Sequence, residues 1–212
     1  MKMSNVEKKF VNSKRHAQKN LELIRRLFNN VDLSKRNKVL EIGCGVGIIS
    51  AHLSSVNRMD VIGTDVDPEQ IEIARKYNKE NENLKFISAN ATKLPFENNE
   101  FDIVLLLWVM HHINDWGKAL KEINRVLKIK GLFIFSDLAY SKRIATIGNF
   151  ASSIRIFKHI VQKYGVYTID DIINFLKRDK FEIIYRESPK RGVLSGCHNI
   201  IFQKNISEDI KK

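Results

Sequence analysis

Three glycines at alternating positions, Gly43, Gly45 and Gly47, follow directly on a short apolar run that carries an acid, Val39-Leu40-Glu41-Ile42. Glycine has no Cβ, so a backbone built this way turns sharply and lets a ligand reach the main chain. The helix expected next, from about Ile48 to Ser55, would direct its N-terminal N–H groups into the same crevice. The spacing is G-x-G-x-G, and the dinucleotide fingerprint G-x-G-x-x-G fails because position 48 is Ile. Eighteen residues past Gly47, the run Val61-Ile62-Gly63-Thr64-Asp65 ends in a second acid. An acid at that separation, at the tip of the neighbouring strand, is placed to accept both hydrogen bonds of a ribose diol; its competing role is a helix cap. Further on, Phe101-Asp102-Ile103-Val104 leads through Leu107 and Trp108 to the pair His111-His112. Leu107 and Trp108 lie just past a strand, where ligands sit at carboxyl ends in open α/β sheets. The two histidines are candidate bases, set against a structural hydrogen-bonding role where the loop enters the next helix.

These segments resemble the motifs of the class I S-adenosylmethionine-dependent methyltransferases, in the family's order. The small single-domain methyltransferase-11 and ubiquinone-biosynthesis-like type is the nearest in pattern. E-x-G-x-G-x-G from Glu41 resembles the first motif and the run to Asp65 the second. Ala89-Asn90-Ala91-Thr92-Lys93-Leu94-Pro95-Phe96 resembles "G-D-A-x-x-L-P-F", and Phe101 to His112 resembles "F-D-x-V-x-x-x-x-x-x-H-H". Arg125 to Gly131 resembles "R-V-L-K-P-G-G" before a fifth strand. The resemblance covers residues 37 to 138 and implies S-adenosyl-L-methionine as cofactor, with S-adenosyl-L-homocysteine as product. It implies that Glu41 and the backbone of Gly43, Cys44, Gly45 and Gly47 meet the amino-acid end of that cofactor. Asp65 would hold the ribose, Val66 would pack on the adenine, and Asn90 and the Ala91 N–H would read its edge, with Leu107 beside them. Two departures stand out. Asn90 replaces the usual Asp, and it can accept from the adenine amine through its carbonyl or donate its amide to a ring nitrogen. Ile129-Lys130 replaces Pro-Gly ahead of Gly131.

The family's reaction is in-line displacement of a methyl group from a positively charged sulfur, in which positioning can remove on the order of 7–11 kcal/mol of barrier. No fixed triad is implied, so the acceptor is not written in the core motifs. His112 and Trp108 are the candidates for a catalytic role, and His16, Tyr140, Tyr164, Tyr167 and His198 are further substrate-side candidates. The cysteine of the glycine turn, Cys44, reads as a small residue rather than a nucleophile. No metal-ligand set is present.

The elements that must position these residues follow from periodicity. Apolar residues at near-helical spacing predict a helix over about Glu7 to Asn29. Strands are expected near 38–42, 60–65, 84–88, 102–107 and 131–136, and helices near 48–55, 68–80 and 114–127. Asn114 or Asp115 caps the last of these helices, and Pro68 opens the one before it. Strands alternating with helices at this rhythm mean an α/β fold with a parallel sheet covered on both faces. A helix from Ile169 to Arg178 and strands near 181–187 and 194–203 complete the chain. By resemblance the fold is a Rossmann-like, doubly wound seven-stranded sheet with its last strand antiparallel. Residues 1–37 then form a helical arm, 38–138 the cofactor core, 139–167 a helical cap insertion and 168–212 the closing helix and strands of one domain.

The net charge of +12 over 212 residues is uneven. Residues 1–38 carry +8, residues 39–138 carry −3 and residues 139–212 carry +7. Basic segments therefore flank an acidic core. An anionic small-molecule acceptor is one explanation, since a cleft of one sign concentrates its counter-ion. Solvated basic faces are the other, and the one favoured. RNA or a ribosomal particle as acceptor is the alternative that would use these flanks. Against it, the position after the fourth strand reads Leu106-Leu107-Trp108-Val109, without the Asn/Asp-Pro-Pro-aromatic tetrad of base-amine methyltransferases. A non-catalytic cofactor-binding subunit gains nothing from motifs that are intact. Two cysteines, no apolar run of membrane-spanning length and no signal-like start predict a cytoplasmic protein.

Overall fold

The computed structural model describes residues 13–79, 81–140, 167–188 and 195–206. Seven strands form one sheet in the order β3-β2-β1-β4-β5-β7-β6. They are β1 (Lys38–Ile42), β2 (Asp60–Asp65), β3 (Leu84–Ser88), β4 (Phe101–Leu107), β5 (Leu127–Tyr140), β6 (Phe181–Glu187) and β7 (Ser195–Lys204). Strands β1 to β5 run parallel, whereas β7 pairs antiparallel with both β5 and β6. The helices are α1 (Lys14–Phe28), α2 (Ile48–Asn57), α3 (Pro68–Tyr77), α4 (Trp116–Val126) and α5 (Ile169–Arg178).

Alternation along each strand sorts the core into two layers, because successive side chains point to opposite faces. Val39, Val61, Ile103, Leu105 and Ile134 pack with Leu23, Ile24 and Leu27 of α1, Leu53 of α2 and Ile71 of α3. Leu40, Ile42, Val104, Leu106, Phe133 and Phe135 pack with Leu120 and Ile123 of α4 and Ile172 and Leu176 of α5. Local signals set the helix starts. Ser13 accepts from the His16 N–H at 3.3 Å, and Asp67 accepts from Glu69 with Pro68 in the first turn. Asp115, rather than Asn114, caps α4 by accepting from the Lys118 N–H at 3.0 Å. Thr168 and Asp171 form a reciprocal capping box on α5.

The order 3-2-1-4 makes the chain reverse direction across the sheet between β1 and β4. That switch point leaves a crevice at the carboxyl ends of the strands. Two expectations shift. β5 is far longer than the predicted 131–136, starting at Leu127 and ending at Tyr140, so the expected cap loses its first two residues to the sheet. Residues 141–166 of the cap, including Tyr164, and the N-terminal part of the arm lie outside the described residues. Helix α3 ends at Tyr77 rather than at residue 80, because Asn78 leaves helical geometry with φ −129° and ψ 33°.

Candidate active site

A cleft of about 470 Å³ opens at the switch point. Its floor is the glycine turn between β1 and α2. Gly43, Gly45 and Gly47 all have positive φ, of 76°, 53° and 81°. At Gly43 a Cβ would lie 2.2 Å from Val109 Cγ2, and at Gly47 it would lie 2.4 Å from Phe86 Cζ. Side chains are thus excluded by packing as well as by backbone conformation.

Two buried acids face this cleft. Glu41, at the end of β1, is 4% exposed and accepts a hydrogen bond from the Ser50 hydroxyl of α2. Burial, with Asp65 nearby, pushes its pKa up to about 7 despite the Ser50 bond. Asp65, at the end of β2, is 8% exposed. Its Oδ2 accepts from the Gly45 N–H at 3.0 Å and its Oδ1 from the Asp67 N–H at 2.9 Å. It therefore ties the glycine turn to the second strand while lining the cleft; helix capping falls to Asp67 instead. Desolvation raises its pKa as well. Among the described residues, no lysine or arginine lines the cleft. Two carboxylates held away from water without a cation beside them are poorly compensated, which makes the site complementary to a positively charged ligand carrying hydroxyl donors. Cys44 lies between them, 8% exposed, and its thiol is held well above its usual range by burial and then by Glu41 and Asp65. Thiolate chemistry is disfavoured there.

Beyond β2 the wall consists of Val66 and the loop Ala89–Thr92. Val66 is 44% exposed, so it stands outside the core and leaves an apolar face open to the cleft. Asn90 turns its side-chain oxygen into the loop, accepting from the Thr92 N–H at 2.9 Å and from the Thr92 hydroxyl at 3.0 Å. Ala91 is buried beneath it.

On the β4 side stand Leu107, Trp108, Val109, His112 and Ile113. Trp108 has φ 60°, a left-handed conformation that L-residues rarely adopt, and its N–H donates to the Ser136 carbonyl at 2.7 Å. The indole N–H donates to Asn20 Oδ1 of α1 at 3.2 Å, and His16 lies edge-on with ring centroids 6.3 Å apart. Burial and Lys19 lower the His16 pKa, so its imidazole stays neutral. The histidine pair divides its roles. His112 lines the cleft, whereas His111 stands behind it with Nδ1 2.5 Å from Oδ1 of the fully buried Asp137. The two imidazoles lie 4.0 Å apart between centroids.

Residues 40–135 match the family described as "Methyltransferase domain". That stretch of the chain is similar to the methyltransferase domains of this family. Among its relatives is the demethylmenaquinone methyltransferase of Staphylococcus saprophyticus, 30% identical over 112 residues, or 52% of this chain and 48% of that protein. The uncharacterized methyltransferase YcgJ of Bacillus subtilis is 33% identical over 113 residues, or 52% and 44%. The chain thus spans about half the length of the curated relatives it matches. Phosphoethanolamine N-methyltransferase 2 of Haemonchus contortus, solved with phosphomonomethylethanolamine and S-adenosylhomocysteine, shares the fold. Its TM-score is 0.70 at 16% identity, covering 88% of this chain and 53% of that one.

Nine of the ten residues expected at the cofactor line this cleft; the exception, Gly47, supports the turn from behind, packed against Phe86 and Ala74. The substrate-side candidates scatter. His16 reaches the cleft, whereas Tyr167 is fully buried in the core with its hydroxyl donating to the Leu138 carbonyl at 2.8 Å. His198 sits on β7 opposite Asp137 and does not line the cleft. The side chain of Tyr140 lies outside the described residues. The sequence reading missed Asn20, Ser50 and Thr92. Asn20 had a signal: it stands four residues after His16, so two polar residues share one turn-spaced face of α1 beside its apolar stripe. No helix among the described residues is long and apolar enough to cross a membrane.

Proposed function

We propose that the chain transfers a methyl group from S-adenosyl-L-methionine to a small-molecule acceptor. The buried, uncompensated pair Glu41 and Asp65 over the glycine turn carries this reading. In this reading the cofactor would lie along the strand order, with its amino-acid end at β1 and Glu41, its ribose at β2 and Asp65 and its base at the loop after β3. When bound, the cofactor supplies an electrophilic methyl group on a sulfonium. Glu41 compensates the ammonium end, Asp65 accepts from the ribose hydroxyls, and Val66 covers one face of the base. The reacting end then points towards β4, where Leu107, Trp108, His112 and α1 form the acceptor wall.

Apolar and aromatic surface, with a His16 imidazole whose pKa is lowered by burial, suits an uncharged acceptor with a ring, of the kind named for the menaquinone-type relative. An anionic acceptor loses support, because no lysine or arginine lines the cleft among the described residues. Oxygen, nitrogen or carbon as accepting atom follows from whether His112 or His16 must take a proton. We further place the protein in a reducing compartment such as the cytoplasm, in line with its two free cysteines, and read its chain as one methyltransferase domain. The test is calorimetry with S-adenosylhomocysteine, followed by methyl transfer from labelled cofactor to a panel of quinols, amines and bulk RNA. Micromolar binding and transfer to a ring-bearing small molecule are expected. No heat with either cofactor form, or transfer to RNA alone, would refute the proposal.

A further inference from the structure

The loop after β3 presents chemistry opposite to what its motif suggests. The backbone N–H of Thr92 can only donate, so the Asn90 atom 2.9 Å from it must be the carbonyl oxygen. The Thr92 hydroxyl donates to the same oxygen at 3.0 Å. Both lone pairs of that oxygen are then in use within the loop. An aspartate in this turn would spend one oxygen on Thr92 and keep a second acceptor for a ligand. Asparagine keeps only its amide, which is a donor. The loop itself is constrained: Lys93 N–H returns to the Asn90 carbonyl at 2.9 Å, and the two residues form an isolated β-bridge. Asn90 is solvent-exposed yet lines the cleft, at the end where the strand order puts the base of the cofactor.

We infer that Asn90 offers a hydrogen-bond donor to the edge of the cofactor base, so the cleft does not select for an exocyclic amine and accepts a 6-oxopurine cofactor as well as adenine. The inference rests on the methyltransferase reading above. Adenine is held by letting a ring nitrogen accept from the Asn90 amide; hypoxanthine is held by letting its carbonyl accept from the same group. Facing the amide with the exocyclic amine would instead set two donors against each other with no hydrogen bond between them. A carboxylate at the same position would create a preference for adenine, because it accepts from the amine and repels the oxo group.

Equilibrium binding of S-adenosyl-L-homocysteine and S-inosyl-L-homocysteine to the full chain and to Asn90→Asp tests this. The substitution keeps the oxygen that Thr92 needs, and far-ultraviolet dichroism with a thermal melt checks the fold. The unmodified protein should bind the two ligands within about threefold of each other, and Asn90→Asp should prefer the adenine form by tenfold or more. A tenfold or greater preference for the adenine form in the unmodified protein overturns the inference and leaves the methyltransferase reading intact. So does a ligand ratio that Asn90→Asp fails to change. Failure of both ligands to bind overturns the two together.

Discussion

Raising the pH from 5.5 to 7 should tighten cofactor binding roughly fifteenfold, because Glu41 must ionise before it can face an ammonium group. Burial places its pKa at about 7, against an ordinary 4.5. That displacement corresponds to about 3 kcal/mol against the carboxylate in the free protein. The sign follows directly. The folded state holds this proton where the unfolded chain has released it, so Glu41 costs the free protein stability as the pH rises from about 4.5 to 7. A cation bound beside it recovers that cost and expels the proton. At pH 7 about half of the sites carry the proton, so binding should release roughly half a proton per site. Isothermal calorimetry in phosphate and in Tris reads this as a buffer-dependent enthalpy. Glu41→Gln keeps an acceptor for Ser50 and removes the titration. It should bind more weakly at pH 7, lose the pH slope below 7, and gain stability at neutral pH. The cofactor's own α-amino group titrates near 8, which is why the comparison stays at or below 7. Identical affinity at pH 5.5 and 7, with no buffer dependence, would refute the placement of a cation against Glu41.

Asp65→Ala removes the acceptor for the ribose and the anchor of the Gly45 N–H, and should weaken cofactor binding by about 1.5–3 kcal/mol; affinity within twofold of the parent would show that the ribose lies elsewhere. Gly43→Ala forces a methyl group against Val109 at a φ of 76° and should cost about 2–5 kcal/mol of stability, checked by urea unfolding, with an unchanged midpoint counting against the described turn. Lys130 occupies a left-handed conformation of φ 64°, so Lys130→Gly should stabilise the fold by about 0.5–1 kcal/mol, a rise of about 2 °C in melting temperature. A drop would mean that the Lys130 Nζ bond to Asn205 matters more than the backbone strain.

Much of the fold was legible because the strand ends are marked chemically. β1, β2 and β3 fall at the expected residues, each closed by a turn or an acid: the glycines after Ile42, Asp65 and the Asn90 loop. β5 was not legible at either end. Lys130, at a left-handed kink, stands where the family pattern has glycine, and no periodicity in Leu127–Lys130 tells a strand from the end of α4. Its far end pairs through Tyr140 with Ser195 of β7, a partner more than fifty residues away in the chain. In the site, residue types alone brought most of the candidates to one cleft, since short-range motifs build it. Which atom of Asn90 faces outward depends on the Thr92 hydrogen bonds, and which of two histidines enters the cleft depends on Asp137 across the sheet. Those choices are made by tertiary neighbours.

The bond from the Trp108 indole to Asn20 separates the cleft into two pieces with different ancestry in the chain. The residues proposed to meet the cofactor sit at strand ends or in the turns directly after them, whereas His16, Ala17 and Asn20 ride on a single surface helix. That helix is held by its own apolar seam and, at its far end, by an exposed Arg26–Glu187 pair at 3.0 Å. Side chains on its cleft-facing turn can therefore be exchanged without disturbing a residue that supports the glycine loop. On the proposed reading, acceptor preference can be redesigned on that helix while the residues proposed for the methyl donor stay as they are.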